Sequence, residues 1–322
     1  MKKIIIIISV IIIAILSAII FRPEKEKNLN KIRLAEVTHS TFYAPLYVAI
    51  ENNYFKEEGI DLELNLVSGA DKVSAAVLSN DVDLGFAGPE ATIYVYKNKE
   101  DDYLVSFSGL TKRDGQFIVG RKKEELKLDN LKGKEIVVGR KGGMPSLNFL
   151  NAIDNEKINK NEININYSID FAALSGAFIS GIGDYVNLFE PNATKLEQQG
   201  LGYIVGSVGK YSGEVPYTTF FARKSYINNN KDIIKRFKSA INKGLEFVKN
   251  NNEEEIAKVI SNQFNDTSLN ELKIIIKRYK ENDTWLDNSF ISEESFKNLE
   301  NIMIKADLLD NYVNYNELIY ND

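Results

Sequence analysis

Val82-Asp83-Leu84-Gly85-Phe86-Ala87-Gly88-Pro89-Glu90 and Asp184-Tyr185-Val186-Asn187-Leu188-Phe189-Glu190-Pro191 share one pattern. Each is a short apolar run that breaks at a proline before a helical period begins. Such a run reads as a buried strand feeding a helix, because proline is tolerated in a helix's first turn. Working outward, Pro45 and Pro145 open helices at equivalent places upstream. Ile32 to Tyr96 reads strand, polar loop, helix, strand, helix, strand, proline, helix, and Glu135 to Gly200 repeats the order.

The individual elements follow from hydrophobic period. Ile32 to Val37 is the first strand. Leu46, Ala49, Ile50 and Tyr54 form a helical stripe after Pro45. Ile60, Leu62, Leu64 and Leu66 alternate with polar residues, which is a strand. A short helix turns Val73, Ala76 and Val77 inward, and Val82 to Ala87 is the next strand. In the second half the strands are Glu135–Gly139, Ile163–Ile169 and Asp184–Phe189. Helices lie between them, one carrying Leu147, Leu150 and Ile153 and one around Ala172 to Ile179.

Strands joined by helices make parallel sheets, whose ligands sit beyond the carboxyl ends of the strands. The repeat therefore predicts two lobes whose strand tips face one cleft. One rim is Thr38–Tyr43, Ser68–Asp71 and Gly88–Glu90. The other is Arg140–Met144, Asp170–Leu174 and Asn187–Glu190. Gln116–Lys122 and Thr218–Lys224 resemble each other and fall where the chain passes between lobes, so both read as hinge strands. After Tyr226 the chain is helical. Ile233, Ile234, Phe237, Ile241, Leu245 and Val248 form one stripe, and Ser268 with Glu271 fits a capping box.

The organisation expected is an anchor at residues 1–22, a tether at 23–30, a first lobe from 31–118 and a second from 119–217. A return hinge strand and C-terminal helices packed on the first lobe then span 218–322. The first segment is basic at Lys2 and Lys3 and apolar from Ile4 to Phe21, broken only by Ser9 and Ser17. As a helix that run is about 27 Å long, enough for a bilayer core. Leu16-Ser17-Ala18 opens like a lipoprotein cleavage box, but Ile19 stands where the box requires cysteine. The expectation is a chain at the outer face of the cytoplasmic membrane, anchored by its N-terminal segment or exported.

The chain has no cysteine and a single histidine, His39. That excludes disulfides, thiolate metal sites and thiol nucleophiles, and no metal or other cofactor is expected. Setting aside the three basic groups of residues 1–22 leaves 37 basic against 45 acidic groups, an acidic balance that argues against nucleic acid. There is no Gly-x-Ser-x-Gly elbow, and Gly181-Ile182-Gly183 precedes a strand instead of following one. An enzyme is not expected.

Thr38–Phe55, Gly59–Leu66 and Val82–Pro89 resemble the solute-binding proteins of ABC importers, in the branch for sulfonates, taurine, nitrate and thiamine-pyrimidine precursors. Phe189-Glu190-Pro191 and Gly213–Thr218 fit the same branch. The resemblance covers the chain from about residue 31 to its end. It implies an α/β, two-lobed periplasmic-binding-protein-like (type II) fold, each lobe a mainly parallel sheet flanked by helices. It implies a small-molecule ligand, permease and ATPase partners, and a monomer. Enzymes on the same scaffold, a pyrimidine synthase or a desulfurising hydrolase, are the alternative class; the cysteine-rich motif of the pyrimidine-synthesising relatives is absent here.

The candidate ligand-binding residues come from the rims. The first supplies Thr38, His39, Ser40, Phe42, Tyr43, Ser68, Gly69, Gly88, Pro89 and Glu90. The second supplies Arg140, Gly142, Gly143, Met144 and Glu190, with Tyr217 at the hinge. His39 can donate to a ligand oxygen or ring nitrogen. Gly142 and Gly143 let backbone N–H groups approach an anion at a helix N-terminus. The family resemblance puts the residue before the second rim proline near the ligand, which favours Glu190 over Glu90. Arg140 and Lys141 on one side with Glu90 and Glu190 on the other fit a zwitterion or an aminated heterocycle of thiamine-pyrimidine type, with a sulfonate, taurine or nitrate as the alternative.

Overall fold

The computed structural model describes residues 29–321. The expected anchor lies outside the described residues; among those described, no helix is long and apolar enough to cross a membrane.

Strand β1 (Asn30–Glu36) leads through helix α1 (Ala44–Glu51) to β2 (Ile60–Leu66). Helix α2 (Ala70–Leu78) leads to β3 (Leu84–Ala87), and α3 (Glu90–Lys97) to β4 (Leu104–Thr111). The chain then crosses to a second sheet through β5 (Phe117–Gly120) and continues to β6 (Glu135–Val137), α4 (Met144–Asn155) and β7 (Asn164–Asn166). Next come α5 (Leu174–Ile179), β8 (Tyr185–Leu188), α6 (Asn192–Gln198), β9 (Tyr203–Ser207) and α7 (Val208–Ser212). Strand β10 (Thr218–Arg223) returns to the first sheet, and α8 (Lys231–Asn250), α9 (Glu253–Ile260), α10 (Leu269–Glu281) and α11 (Glu293–Lys305) follow.

The two sheets have the same topology. Their orders are β2-β1-β3-β10-β4 and β7-β6-β8-β5-β9. In each, the strand that comes from the other half of the chain lies antiparallel between two strands of its host: β10 between β3 and β4, and β5 between β8 and β9. The remaining strands share one direction, so each sheet is mainly parallel, with helices against it.

Several strands are shorter than their hydrophobic runs. β6 stops at Val137 because Gly139 turns with a φ of 80°. β7 stops at Asn166, whose side chain accepts the Ser168 N–H at 2.9 Å and closes a turn. Two strands have no counterpart in the sequence reading, β4 and β9. All eight residues of β4 are buried, so it lacks the alternation that marks a half-exposed strand.

The larger core joins the first sheet to the C-terminal helices. Phe86 of β3 stacks on Phe220 of β10 at 4.2 Å, and Phe237 of α8 meets Phe220 edge-on at 5.1 Å. On α8 the buried residues include Phe237, Ile241, Leu245 and Val248, the stripe that the period predicts; Ile233 at its margin is only partly buried. The capping boxes Asn252/Glu255 and Ser268/Glu271 start α9 and α10, and Ser292 caps α11. A second, smaller core of Ile118, Val138, Phe149 and Ala152 lies between the second sheet and α4.

Gly244 sets the distance from α8 to α1, since a methyl group there would lie 2.2 Å from the Pro45 carbonyl oxygen. Alanine gains about 1 kcal/mol over glycine in a helix interior, but overpacking against backbone costs about 1–3 kcal/mol. Gly244→Ala is therefore expected to lower the free energy of urea-induced unfolding. An unchanged or raised value would show that α8 can move away from α1 without loss.

Candidate functional site

Both sheets point the carboxyl ends of their parallel strands at the boundary between the lobes, and a cavity of about 320 Å³ lies there. Loops after β1, β2 and β3 bring Thr38, Tyr43, Ser68, Gly69, Gly88 and Glu90 to its wall, and the loop and first turn of α4 bring Arg140, Gly143 and Met144. Tyr217 and Thr218 close it at the start of β10. The sequence reading did not single out Phe171, Phe189 or Asp170 as ligand contacts, although all three line the cavity and belong to the predicted second rim.

The rims touch around this space. Tyr94 donates its hydroxyl to the Gly142 carbonyl at 2.8 Å; burial pushes that hydroxyl up to about 12, so it stays a donor. Arg140 reaches to 3.7 Å from Asp71, with both side chains more than half exposed, so this pair adds little stability. Gly142 thus belongs to the seam between the rims, not to the cavity wall.

Glu90 is the buried charged group of the cavity wall. It is 2 % exposed. Its Oε1 accepts the Met144 N–H at 3.3 Å, across the cleft, and its Oε2 has no hydrogen-bond partner in the protein. Desolvation is the dominant influence and pushes its carboxyl up to about 7, against the smaller opposing effects of nearby backbone N–H groups and Arg140. Glycine at position 88 leaves room for these side chains, since a methyl group there would lie 2.1 Å from Glu90 Oε2 and 2.4 Å from Met144 Cγ and would force them to shift.

Glu190 has a different environment. Its carboxylate accepts the Thr194 N–H at 2.8 Å, the Thr194 hydroxyl at 2.9 Å and an Arg278 N–H at 3.0 Å. Its own N–H donates to the Tyr279 hydroxyl at 3.2 Å, and its carbonyl accepts the Ser40 hydroxyl at 2.6 Å. Burial raises its carboxyl while Arg278 works against that shift. The residue caps α6 and fastens the second rim to α10 and to the loop after β1. It borders a neighbouring cavity of about 240 Å³, not the one that Glu90 lines.

His39 borders that smaller cavity as well. Both ring nitrogens are engaged, Nδ1 with Glu36 at 2.7 Å and Nε2 with the Gln263 carbonyl at 2.9 Å. The Glu36 carboxylate, itself held by the Tyr47 hydroxyl at 2.8 Å, favours the charged imidazolium and raises its titration. Ser40 and Phe42 also lie behind the cavity. Phe42 sits among the rings of Phe189, Tyr217 and Tyr279 at 5.2–5.5 Å, and its carbonyl accepts the Trp285 N–H at 2.8 Å. Pro89 is buried and turns its carbonyl to the Thr92 hydroxyl at 2.8 Å. The strand-tip rule locates these loops, but the twist of each loop decides which residue turns toward the gap. Among the described residues, no cluster of side chains could hold a metal ion.

Comparison with known proteins gives this geometry a lineage. Residues 40–255 match the family model described as NMT1/THI5 like. YtlA of Bacillus subtilis (strain 168), which carries the provisional description of a binding protein, is 41% identical over 298 residues, covering 92% of this chain and 89% of that one. The alkanesulfonate-binding protein SsuA from Xanthomonas axonopodis pv. citri, solved bound to MOPS, superposes with a TM-score of 0.70 at 15% identity, covering 91% of this chain and 98% of that one. The periplasmic nitrate-binding protein NrtA from Synechocystis PCC 6803 superposes with a TM-score of 0.66 at 15% identity, covering 90% and 86%. At that identity the solved structures speak for the shared fold alone. All three relatives are described as binding proteins and none as an enzyme. With two thirds of its length under one family model and a relative aligned almost end to end, the chain belongs to the NMT1/THI5-like family.

Proposed function

We propose that the chain is the extracytoplasmic solute-binding component of an ABC importer. In this reading residues 31–118 with 218–322 form one lobe, and 119–217 form the other. They close on a small polar ligand and present it to a permease and its ATPase, with residues 1–22 as the membrane anchor. Closure follows from linkage, since a solute that touches both rims binds the closed state better and draws the population toward it. The family and the YtlA alignment support a binding protein.

The observation that bears most on the ligand is the free Oε2 of Glu90. A buried carboxyl oxygen without a protein partner is a costly arrangement unless a ligand donor meets it. The cavity wall adds the tyrosine rings of Tyr43 and Tyr217. Its one arginine, Arg140, is half exposed and turned to Asp71. A donor-bearing, flat, nitrogenous heterocycle of aminopyrimidine type fits this set better than a sulfonate or nitrate, which would call for a buried cation. The anion reading rests on Arg140 with the glycine-led start of α4.

Native mass spectrometry of the freshly purified full chain, followed by titration calorimetry with an aminopyrimidine and an alkanesulfonate, separates the two. Glu90→Gln is expected to weaken an amine-bearing ligand about 5- to 150-fold, the equivalent of about 1–3 kcal/mol. Tight alkanesulfonate binding that survives Glu90→Gln and is lost in Arg140→Gln would overturn the heterocycle. Conversion of bound ligand to product under single-turnover conditions would overturn the binding-protein reading itself.

Glu90 also predicts a stability profile. Its proton is held to about pH 7 in the folded chain, whereas an exposed glutamate releases it near 4.5. The folded state therefore binds the extra proton between these values, and stability falls as pH rises from about 4.5 to about 7, then levels off. The loss is on the order of 2–4 kcal/mol. Urea unfolding of ligand-free protein at pH 5 and pH 8 is expected to show this decline, and Glu90→Gln is expected to flatten it. An unchanged profile in the variant would place the carboxyl in water.

A further inference from the structure

A buried polar layer that the ligand cavity does not use lies against the second sheet. Gln116, Asn148 and Asn187 are each 0 % exposed, and Asp114 is 1 % exposed. Asn187 has no hydrogen-bond partner for its Nδ2 or its Oδ1, and Gln116 Oε1, Asn148 Oδ1 and Asp114 Oδ2 are without one too.

These groups converge. Asn187 of β8 pairs with Ile118 of β5, so the two side chains share a face of the sheet, and Gln116 two residues before Ile118 points the same way. Ile118 packs in one cluster with Phe149 and Ala152 of α4. Asn148 shares a helix face with Ala152 four residues on. All three amides therefore face the space between the second sheet and α4. Gln116 Nε2 donates to the Asn187 backbone carbonyl at 3.5 Å, a long contact in which the Asn187 side-chain amide takes no part. Asp114 receives the Gln116 N–H at 2.7 Å on Oδ1, and its carboxyl lies beside the Tyr217 hydroxyl. Tyr217, beside Asp114, also lines the ligand cavity.

The donor set selects the occupant. No basic side chain is among these groups to hold an anion. A cation would need ionised carboxylates, and the single one present, Asp114, is buried, which disfavours its charged form. Three amides offer both donors and acceptors, as water does. Placing five such atoms in a dry interior would cost about 1–3 kcal/mol for each, whereas one bridging water satisfies two to four.

We propose that ordered water molecules occupy the space between the second sheet and α4, bound by Asn187, Gln116 and Asn148. They form a hydrated floor behind the Tyr217 wall of the ligand cavity. This inference stands independently of which solute the cavity takes. The water ties β8, which runs on into the Phe189 rim, to the N-terminal half of α4, which carries Met144. Those two elements form the second lobe's side of the ligand cavity.

A high-resolution crystal structure of the full chain tests it directly. Ordered solvent within hydrogen-bond reach of the Asn187 and Gln116 amides is expected. A dry space, direct pairing of the amides with one another, or atoms of the bound solute in that space would each overturn the proposal. Gln116→Met, which keeps length and removes both polar atoms, gives a second measure. The hydrated floor predicts a Tm lowered by about 2–5 °C as bound water loses a partner, and an unchanged or raised Tm would overturn it. If that variant does not fold, the crystal structure of the unaltered protein still decides.

Discussion

Two strands exchanged between two sheets are the constraint on which this molecule depends. β5 and β10 each lie inside the sheet opposite to the half of the chain they come from, hydrogen-bonded on both edges. An interior strand cannot leave without breaking two ladders, so the two sheets are held together where these strands cross. The same connections orient both sets of parallel strands toward one boundary. The cavity at that boundary is a consequence of topology before it is a consequence of any side chain.

Within that frame, two glutamates next to prolines have separate environments. Glu90 follows its proline and lies in the first turn of α3, with one carboxyl oxygen on the Met144 N–H and the other free. Glu190 precedes its proline, caps α6 through Thr194 and binds Arg278. A shift of two residues relative to the proline thus separates a group facing the cavity from a structural fastener. Arg278 satisfies a buried carboxylate that would otherwise be costly, and it does so from a helix 88 residues away in the chain. The aromatic set Phe42, Phe189, Tyr217 and Tyr279 fills the seam between the two glutamates and ties the rims to the C-terminal helices.

Local patterns carried much of this fold. The alternation of Ile60, Leu62, Leu64 and Leu66 marks β2 end to end, and Pro45 and Pro145 mark helix starts that the structure contains. β4 escaped notice because it is buried throughout and so shows no period of two. β9 is only five residues long and carries a glycine. The loops of the site were legible from the strand-tip rule, but the orientation of individual residues was not. Ser40, Phe42 and His39 stand on a loop adjoining the cavity yet turn toward Glu190, the aromatic seam and Glu36. Glu36 is three residues before His39, but Glu190, Phe189 and Tyr279 come from far along the chain, which no local period can reveal.

The sequence by itself determined the duplicated α/β plan, the two crossing strands, the absence of thiol chemistry and the loops that border the cleft. These depend on period, proline placement and composition, all of which are local properties of the chain. Tertiary structure alone decided which carboxylate is free and which is tied, because that depends on where Arg278, Met144 and Gly88 come to rest. It also decided that the amides of Gln116, Asn148 and Asn187 are buried with polar atoms unpaired. Burial and pairing are properties of neighbours in space, and the neighbours here come from separate segments of the folded chain.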